Sequence, residues 1–174
     1  MNVVSSNTPG NETNMKTAYL ESIKLIERMH RQFLEVIRLE LDRLGIRDIN
    51  NVQALILYNV GDEELTVGEL SHRGYYLGSN VSYNLRKMVE NGYVVPERST
   101  RDRRSIHIKL SPKGRTLWRH LDSMFDRQTA SLQMGHVTAS DFSSVSATMS
   151  KLERFWINAL QGVNQVSGSA ERTD

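Results

Sequence analysis

The sequence predicts a mainly α chain carrying one small β-hairpin, and three observations predict it. Apolar residues recur at three- and four-residue steps through most of its 174 residues. The period switches to two only between Tyr93 and Leu110. Gly45, Gly61, Gly74 and Gly92 stand where one helical pattern stops and the next element begins. The predicted order is two helices, a short strand, two helices, a hairpin and two helices.

Residues 1–14 and 161–174 are rich in Asn, Ser, Thr and Gly, and both are expected to be unstructured tails. From Met15 the apolar positions Tyr19, Ile23, Ile26, Phe33, Ile37, Leu41 and Leu44 give a long first helix, closed by Gly45. At 1.5 Å per residue that helix is about 45 Å long. A small core cannot cover it, so its N-terminal half, with Tyr19 and Ile23, is expected to pack on a second copy of the chain. Residues 15–48 are read as this dimerisation helix and its link. A second helix runs from about Asn50 to Asn59, with Val52, Leu55, Ile56 and Tyr58, and stops at Gly61. A short strand is expected between Glu63 and Thr66. Thr66 then caps a short helix to about Arg73, with Glu69 completing a capping box. After Gly74, Ser79 caps the next helix, which closes at Gly92.

Tyr93, Val94 and Val95 are β-formers, and Pro96 points to an edge strand. Ile106, Ile108 and Leu110 alternate with His107 and Lys109. Between these runs lies a charged tip. Ser111 caps the following helix, with Pro112 in its favoured first-turn position, and that helix extends to about Gln133. The last helix starts at Thr138, with Asp141 three residues on, and reaches about Leu160. Its apolar positions Phe142, Val145, Met149, Leu152, Trp156 and Ala159 keep alternating steps of three and four, a coiled-coil-like seam. The seam suits either the preceding helix or a second chain, and the second chain is favoured for a helix lying beyond the hairpin. The expected division is 49–112 for a winged helix-turn-helix domain and 113–160 for C-terminal dimerisation helices.

Charge locates the chemistry. The net charge is only +2, but Thr66 to Arg115 holds ten Lys and Arg against four acids, which gives +6 there and leaves −4 for the remainder. A basic centre in a mildly acidic chain fits a polyanionic partner. In the helix after Ser79, Val81, Leu85, Met88 and Val89 form the face expected to pack inward. Asn80, Ser82, Tyr83, Arg86 and Lys87 point elsewhere and suit a major groove. Ser79 and the helix N-terminal amides can hold a phosphate, Asn80 and Ser82 can touch base edges, and Tyr83 can meet a thymine methyl or a phosphate. The hairpin adds Arg98, Arg101, Arg103 and Arg104, of which one arginine can enter a narrow minor groove. Asp102 repels phosphate, so its expected role is to shape the tip and orient a neighbour such as Arg104.

Other classes of function find little support. With no cysteine there is no disulfide, no zinc–thiolate site and no thiol switch. His30, His72, His107, His120 and His136 are scattered, no catalytic spacing occurs, and no Gly-rich loop follows a strand. No enzyme, metal or cofactor is expected. No apolar run approaches the roughly 20 residues of a membrane span, and no secretory signal is legible, so no membrane partner and a cytoplasmic location are expected. The main alternative is a winged-helix module for protein or RNA contact without operator specificity. RNA readers usually present aromatic platforms, and only Tyr83 and Tyr93 lie near.

The run from Ser79 to Gly114 resembles the recognition helix and wing of the MarR family. Ser79, Val81, Ser82, Glu90 and Gly92 match the helix. Asp102, Arg103, Arg104 and Ser105 match the wing, and Leu110, Ser111, Pro112, Lys113 and Gly114 match the exit. Two positions depart: Ser99-Thr100 replaces a common Asp-Pro pair, and Tyr83 stands where arginine is common. The resemblance implies a bacterial transcription regulator that binds a pseudo-palindromic operator in double-stranded DNA as a homodimer, with a wing arginine in the minor groove. The sequence is also similar to LdtR-type regulators of L,D-transpeptidase genes, which implies control of cell-wall remodelling or stress-tolerance genes. The family further implies a small apolar or aromatic effector. Leu34, Ile37, Arg38, Tyr58 and Trp118 can line an apolar cleft with one cation and one hydroxyl, suited to an amphipathic acid. The plainer alternative is that these are ordinary core residues with Arg38 at the surface.

Overall fold

The computed structural model describes residues 9–66, 68–70, 78–98 and 106–170. Its elements are α1 (Pro9–Arg43), α2 (Asn51–Val60), β1 (Leu65–Thr66), α3 (Gly78–Glu90), β2 (Val94–Arg98), β3 (Ile106–Leu110), α4 (Pro112–Met134) and α5 (Ala139–Ala170). Residues 68–70 are also helical, within the span expected for the first helix of the helix-turn-helix. The rest of that helix and the turn, at 71–77, and the wing tip, at 99–105, lie outside the described residues.

Two outer helices are longer than the sequence pattern suggests. α1 begins at Pro9 and α5 runs to Ala170, so residues 9–14 and 161–170, expected as tails, are helical. Once a helix is nucleated, each further residue adds a hydrogen bond, so polar composition alone does not end it. Pro9 fits a first-turn position, and no proline interrupts α5.

The chain divides into two compact units, Met1–Met124 and Phe125–Asp174. In the first, Ile37 and Leu41 of α1, Ala54, Ile56, Leu57 and Val60 of α2, and Val81, Leu85 and Met88 of α3 are buried. They share the core with Val94, Ile108 and Leu110 of the sheet and with Leu117, Leu121 and Met124 of α4. Each large apolar side chain so buried contributes about 1.5–3 kcal/mol.

The sheet has three antiparallel strands in the order β1-β3-β2. Leu65 pairs with Ile108, Val94 with Leu110 and Pro96 with Ile108. The order leaves β2 on an edge, where the missing N–H of Pro96 is tolerated. α4 starts against this sheet. Ser111 N donates to the Tyr93 carbonyl (3.0 Å), Ser111 Oγ donates to the Gly92 carbonyl (2.6 Å), and Ser111 Oγ accepts from Gly114 N (3.0 Å). A Cβ on Gly114 would lie 2.1 Å from the Tyr93 carbonyl oxygen, so only glycine fits this crossing.

In the second unit the end of α4 turns into α5. Val137 N donates to the Leu132 carbonyl and His136 N to the Gln133 carbonyl, with His136 left-handed at φ 64°. Thr138 then caps α5: its amide and hydroxyl donate to Asp141 Oδ2 (2.8 and 2.7 Å), and its Oγ1 accepts from Asp141 N (3.2 Å). Met149, Leu152 and Trp156 are half-buried, whereas Phe142 and Val145 are exposed.

Candidate nucleic-acid interface

The amphipathic helix α3 is built by its own spacing. Val81, Leu85 and Met88 fall on one side of a 3.6-residue turn and enter the core. Val89, expected on the same face, is 37 % exposed. It lies about 80° round the helix from Val81, at the border of the apolar stripe.

On the outer side, Asn80, Tyr83 and Arg86 stand at three-residue steps, and all three are exposed, Tyr83 by 59 %. Ser82 is exposed beside them. Lys87 is half-buried and donates to Glu90 Oε2 (2.7 Å), a carboxylate that also raises the Lys87 pKa. Lys87 is therefore partly neutralised within the helix, which the sequence reading did not anticipate although Glu90 lies only three residues on. The Ser79 and Arg98 side chains and residues Arg101, Asp102, Arg103 and Arg104 lie outside the described residues.

The approach to the wing is a mixed-charge sheet surface. Lys109 of β3 pairs with Glu97 of the neighbouring strand, which raises its pKa, and lies 3.8 Å from Glu64. The helical residues 68–70 are preceded by the expected capping box. Thr66 N and Oγ1 donate to Glu69 Oε2 (2.7 and 2.8 Å), and Glu69 N donates to Thr66 Oγ1 (3.1 Å).

Two polar clusters meet α3, and composition gave no sign of them. Gln53 of α2 is buried; its Oε1 accepts from Asn50 N (3.1 Å) and its Nε2 donates to Asn84 Oδ1 (3.2 Å). Asn84 Nδ2 in turn donates to the Asn80 carbonyl (2.8 Å). At the other end, Asp48 accepts from the Tyr93 hydroxyl and from Lys113 Nζ, both at 2.6 Å. Lys113 and Tyr93 hold the Asp48 carboxyl below the ordinary range, while burial and Asp48 push the Tyr93 hydroxyl up. The one cue in the sequence was the N-x-x-Q spacing of Asn50 and Gln53, a capping-box signature, and that box is formed.

Of the five candidate effector residues, Tyr58 and Trp118 touch each other. Tyr58 and Trp118 stack with ring centroids 5.5 Å apart and planes 8° apart. The Tyr58 hydroxyl donates to Asp122 Oδ1 (2.9 Å), and Trp118 Nε1 donates to the Tyr58 carbonyl (3.2 Å). Ile37 is fully buried and Leu34 half-buried. Arg38 is exposed and bridges Glu35 (2.5 and 2.9 Å) to Asp42 (2.5 Å). It borders an open cavity of about 320 Å³ with Leu41, Asp42, Ile46, Arg47, Ile49, Asn50 and Asn51. Among the described residues no helix is long and apolar enough to cross a membrane.

Comparison with known proteins agrees with this geometry. A family model described as MarR family matches residues 47–105, from the middle of the α1–α2 link into the wing. The exopolysaccharide II synthesis transcriptional activator ExpG of Rhizobium meliloti (strain 1021) is 38 % identical over 141 residues, covering 81 % of this chain and 73 % of the relative. Streptococcus pneumoniae FabT, solved in complex with DNA, superposes with a TM-score of 0.64 at 19 % identity, over 81 % of this chain and 99 % of that one. Staphylococcus aureus MarR, in complex with salicylate and kanamycin, gives 0.64 at 20 % identity, over 83 % and 96 %. These two likenesses establish the winged-helix fold, and the ExpG match establishes the lineage. The chain belongs to the MarR family and is a DNA-binding transcription regulator.

Proposed function

We propose that the chain reads a pseudo-palindromic operator as a homodimer, with α3 in the major groove and the wing against the flanking minor groove. The observation that carries this is the exposed row of Asn80, Tyr83 and Arg86 on a helix anchored by Val81, Leu85 and Met88 and followed by the β2–β3 hairpin. Two such helices related by a two-fold axis would enter successive major grooves, with half-sites about 10 bp apart. The second copy is supported by apolar side chains left exposed, Met15, Leu25 and Met29 on α1 and Phe142, Val145, Phe155 and Leu160 on α5. A stable pairing through them would bury on the order of 2,000 Å². Residues 49–112 are assigned to DNA binding, and α1 with the helices after 113 to dimerisation. A cytoplasmic location follows from DNA as the partner.

Selection of preferred duplexes from a random pool, followed by footprinting, tests the reading. Two protected half-sites about one helical turn apart are expected, whereas a single asymmetric half-site would overturn it. Asn80→Ala should change the preference among sites. Arg103→Ala should lower the slope of log affinity against log salt by about 0.9 if its contact is to phosphate.

A small aromatic acid is the proposed class of effector, by analogy with the salicylate held by the S. aureus MarR structure. On this chain it would compete with Glu35 and Asp42 for Arg38, or part the Tyr58–Trp118 stack. Titration of salicylate against a protein–operator complex, read by DNA release and Trp118 fluorescence, decides it; neither signal moving would overturn it. The regulated genes are proposed to act at the cell surface. ExpG is named for exopolysaccharide II synthesis, and the L,D-transpeptidase genes suggested by sequence resemblance bear on the cell wall.

A further inference from the structure

We propose that the segment from Asp48 to Gln53 clamps α3 at both ends, making Asp48 and Gln53 positioning residues for base reading. The proposal rests on the assignment of α3 as the reading helix.

At the C-terminal end, the clamp closes on the residues that terminate α3. Tyr93 N donates to the Met88 carbonyl (2.9 Å) and Gly92 N to the Val89 carbonyl (3.0 Å), so Tyr93 is part of the helix stop. The Tyr93 hydroxyl donates to the Asp48 carboxylate (2.6 Å), and Asn91 Nδ2 donates to the Asp48 backbone carbonyl. Lys113, from the first turn of α4, adds bonds to Asp48 Oδ2 (2.6 Å) and to the Asn91 carbonyl (2.9 Å), and lies 4.1 Å over the Tyr93 ring. One aspartate thus gathers the end of the reading helix, the start of the hairpin and the helix that leaves it.

At the N-terminal end, the bond from Gln53 Nε2 to Asn84 Oδ1 reaches the second turn of α3, and Asn84 relays it to the Asn80 carbonyl in the first. Both polar atoms of the Asn84 amide are thereby engaged inside the protein. Asn84 therefore acts as a tether, while Asn80 keeps its exposed side chain for DNA.

The segment between the two grips is fastened to α1. Asn51 Nδ2 donates to the Leu34 carbonyl (3.0 Å); just before the segment, Ile46 N donates to the Leu41 carbonyl (2.9 Å) and closes the end of α1. A shift of the α1 end is carried to both ends of α3 together, as a rigid translation rather than a fraying of one turn. Position in the groove decides which base edges are met, while phosphate contacts carry no sequence information.

The test uses the full chain, the duplex that the wild type selects from a random pool, and a random duplex of the same length. Asp48→Asn and Gln53→Leu should each weaken binding to the selected duplex by about tenfold, within the range usual for coupled sites. Random-duplex affinity and the salt slope should hold, because neither change removes a phosphate contact. Equal loss on both duplexes, or a lower melting temperature with an unchanged ratio between them, would reduce the clamp to a fold support and overturn the proposal. Asp48 is exposed, so Asp48→Asn decides the matter even if Gln53→Leu does not fold. A wild type that selects no duplex would instead overturn the assignment of α3, an outcome distinct from the others.

Discussion

At the scale of single residues, Gly114 is the most tightly enclosed of the described glycines. The sequence shows it only as the last residue of an exit motif; its reason is a long-range approach to the Tyr93 carbonyl that no local pattern encodes. Gly114→Ala must push α4 away from the strand, and a loss of about 3 kcal/mol is expected in chemical denaturation, at the upper end for overpacking. Asp48 was equally invisible, because its partners lie 45 and 65 positions away in the chain. Its carboxyl is held below the ordinary value, so its contribution is fully present above about pH 4 and fades as pH falls through the lowered value. Wild type and Asp48→Asn should differ in stability by a constant amount from about pH 5 to pH 8 and converge in acid. Convergence at the alkaline end instead would assign the effect to another group.

At the scale of elements, capping was the most legible feature. The spacings Asn50–Gln53, Thr66–Glu69 and Thr138–Asp141 all form closed boxes, because each needs only residues three apart. Helix ends marked by glycine were legible too: Gly45 and Gly92 take φ of 70° and 74° after α1 and α3. The outer ends of α1 and α5 were not, since a polar helix and a polar tail share a composition and differ only in backbone bonding. The stop of α4 breaks the glycine pattern. Gly135 stands one place early, and His136 takes the left-handed position. His136→Gly should therefore stabilise the second unit by about 0.5–1 kcal/mol, read as a higher melting temperature. No gain would mean that the imidazole makes a compensating contact.

At the scale of the whole molecule, the reading face of α3 was legible because burial of Val81, Leu85 and Met88 fixes what remains outside. What holds that face in place was not, since Gln53 and Asp48 belong to other elements. For the effector residues, apolar spacing does not say which side chains meet. Tyr58 and Trp118 do, and Arg38 pairs with Glu35 and Asp42 on its own helix. The seam on α5 gives a prediction at this scale. Val145 is 52 % exposed, so Val145→Glu should leave the fold of the single chain intact. A charge placed in a shared apolar seam should convert a sedimenting dimer to monomer at micromolar concentration and abolish footprints over paired half-sites. A variant that still sediments as a dimer would place the interface elsewhere.

The stack of Tyr58 on Trp118 also makes the molecule its own optical instrument. The chain has two tryptophans, and they fall in different units, Trp118 in the first and Trp156 in the second. With Trp156→Phe, the remaining indole emits from beside a parallel phenol ring 5.5 Å away, close enough for light absorbed by Tyr58 to pass to it. The share of its emission that is excited through tyrosine would then fall when the two rings part. With Trp118→Phe, emission follows α5 alone. The paired variants would show by colour and intensity, without added dye, whether heat or denaturant melts the two units as one body or in sequence.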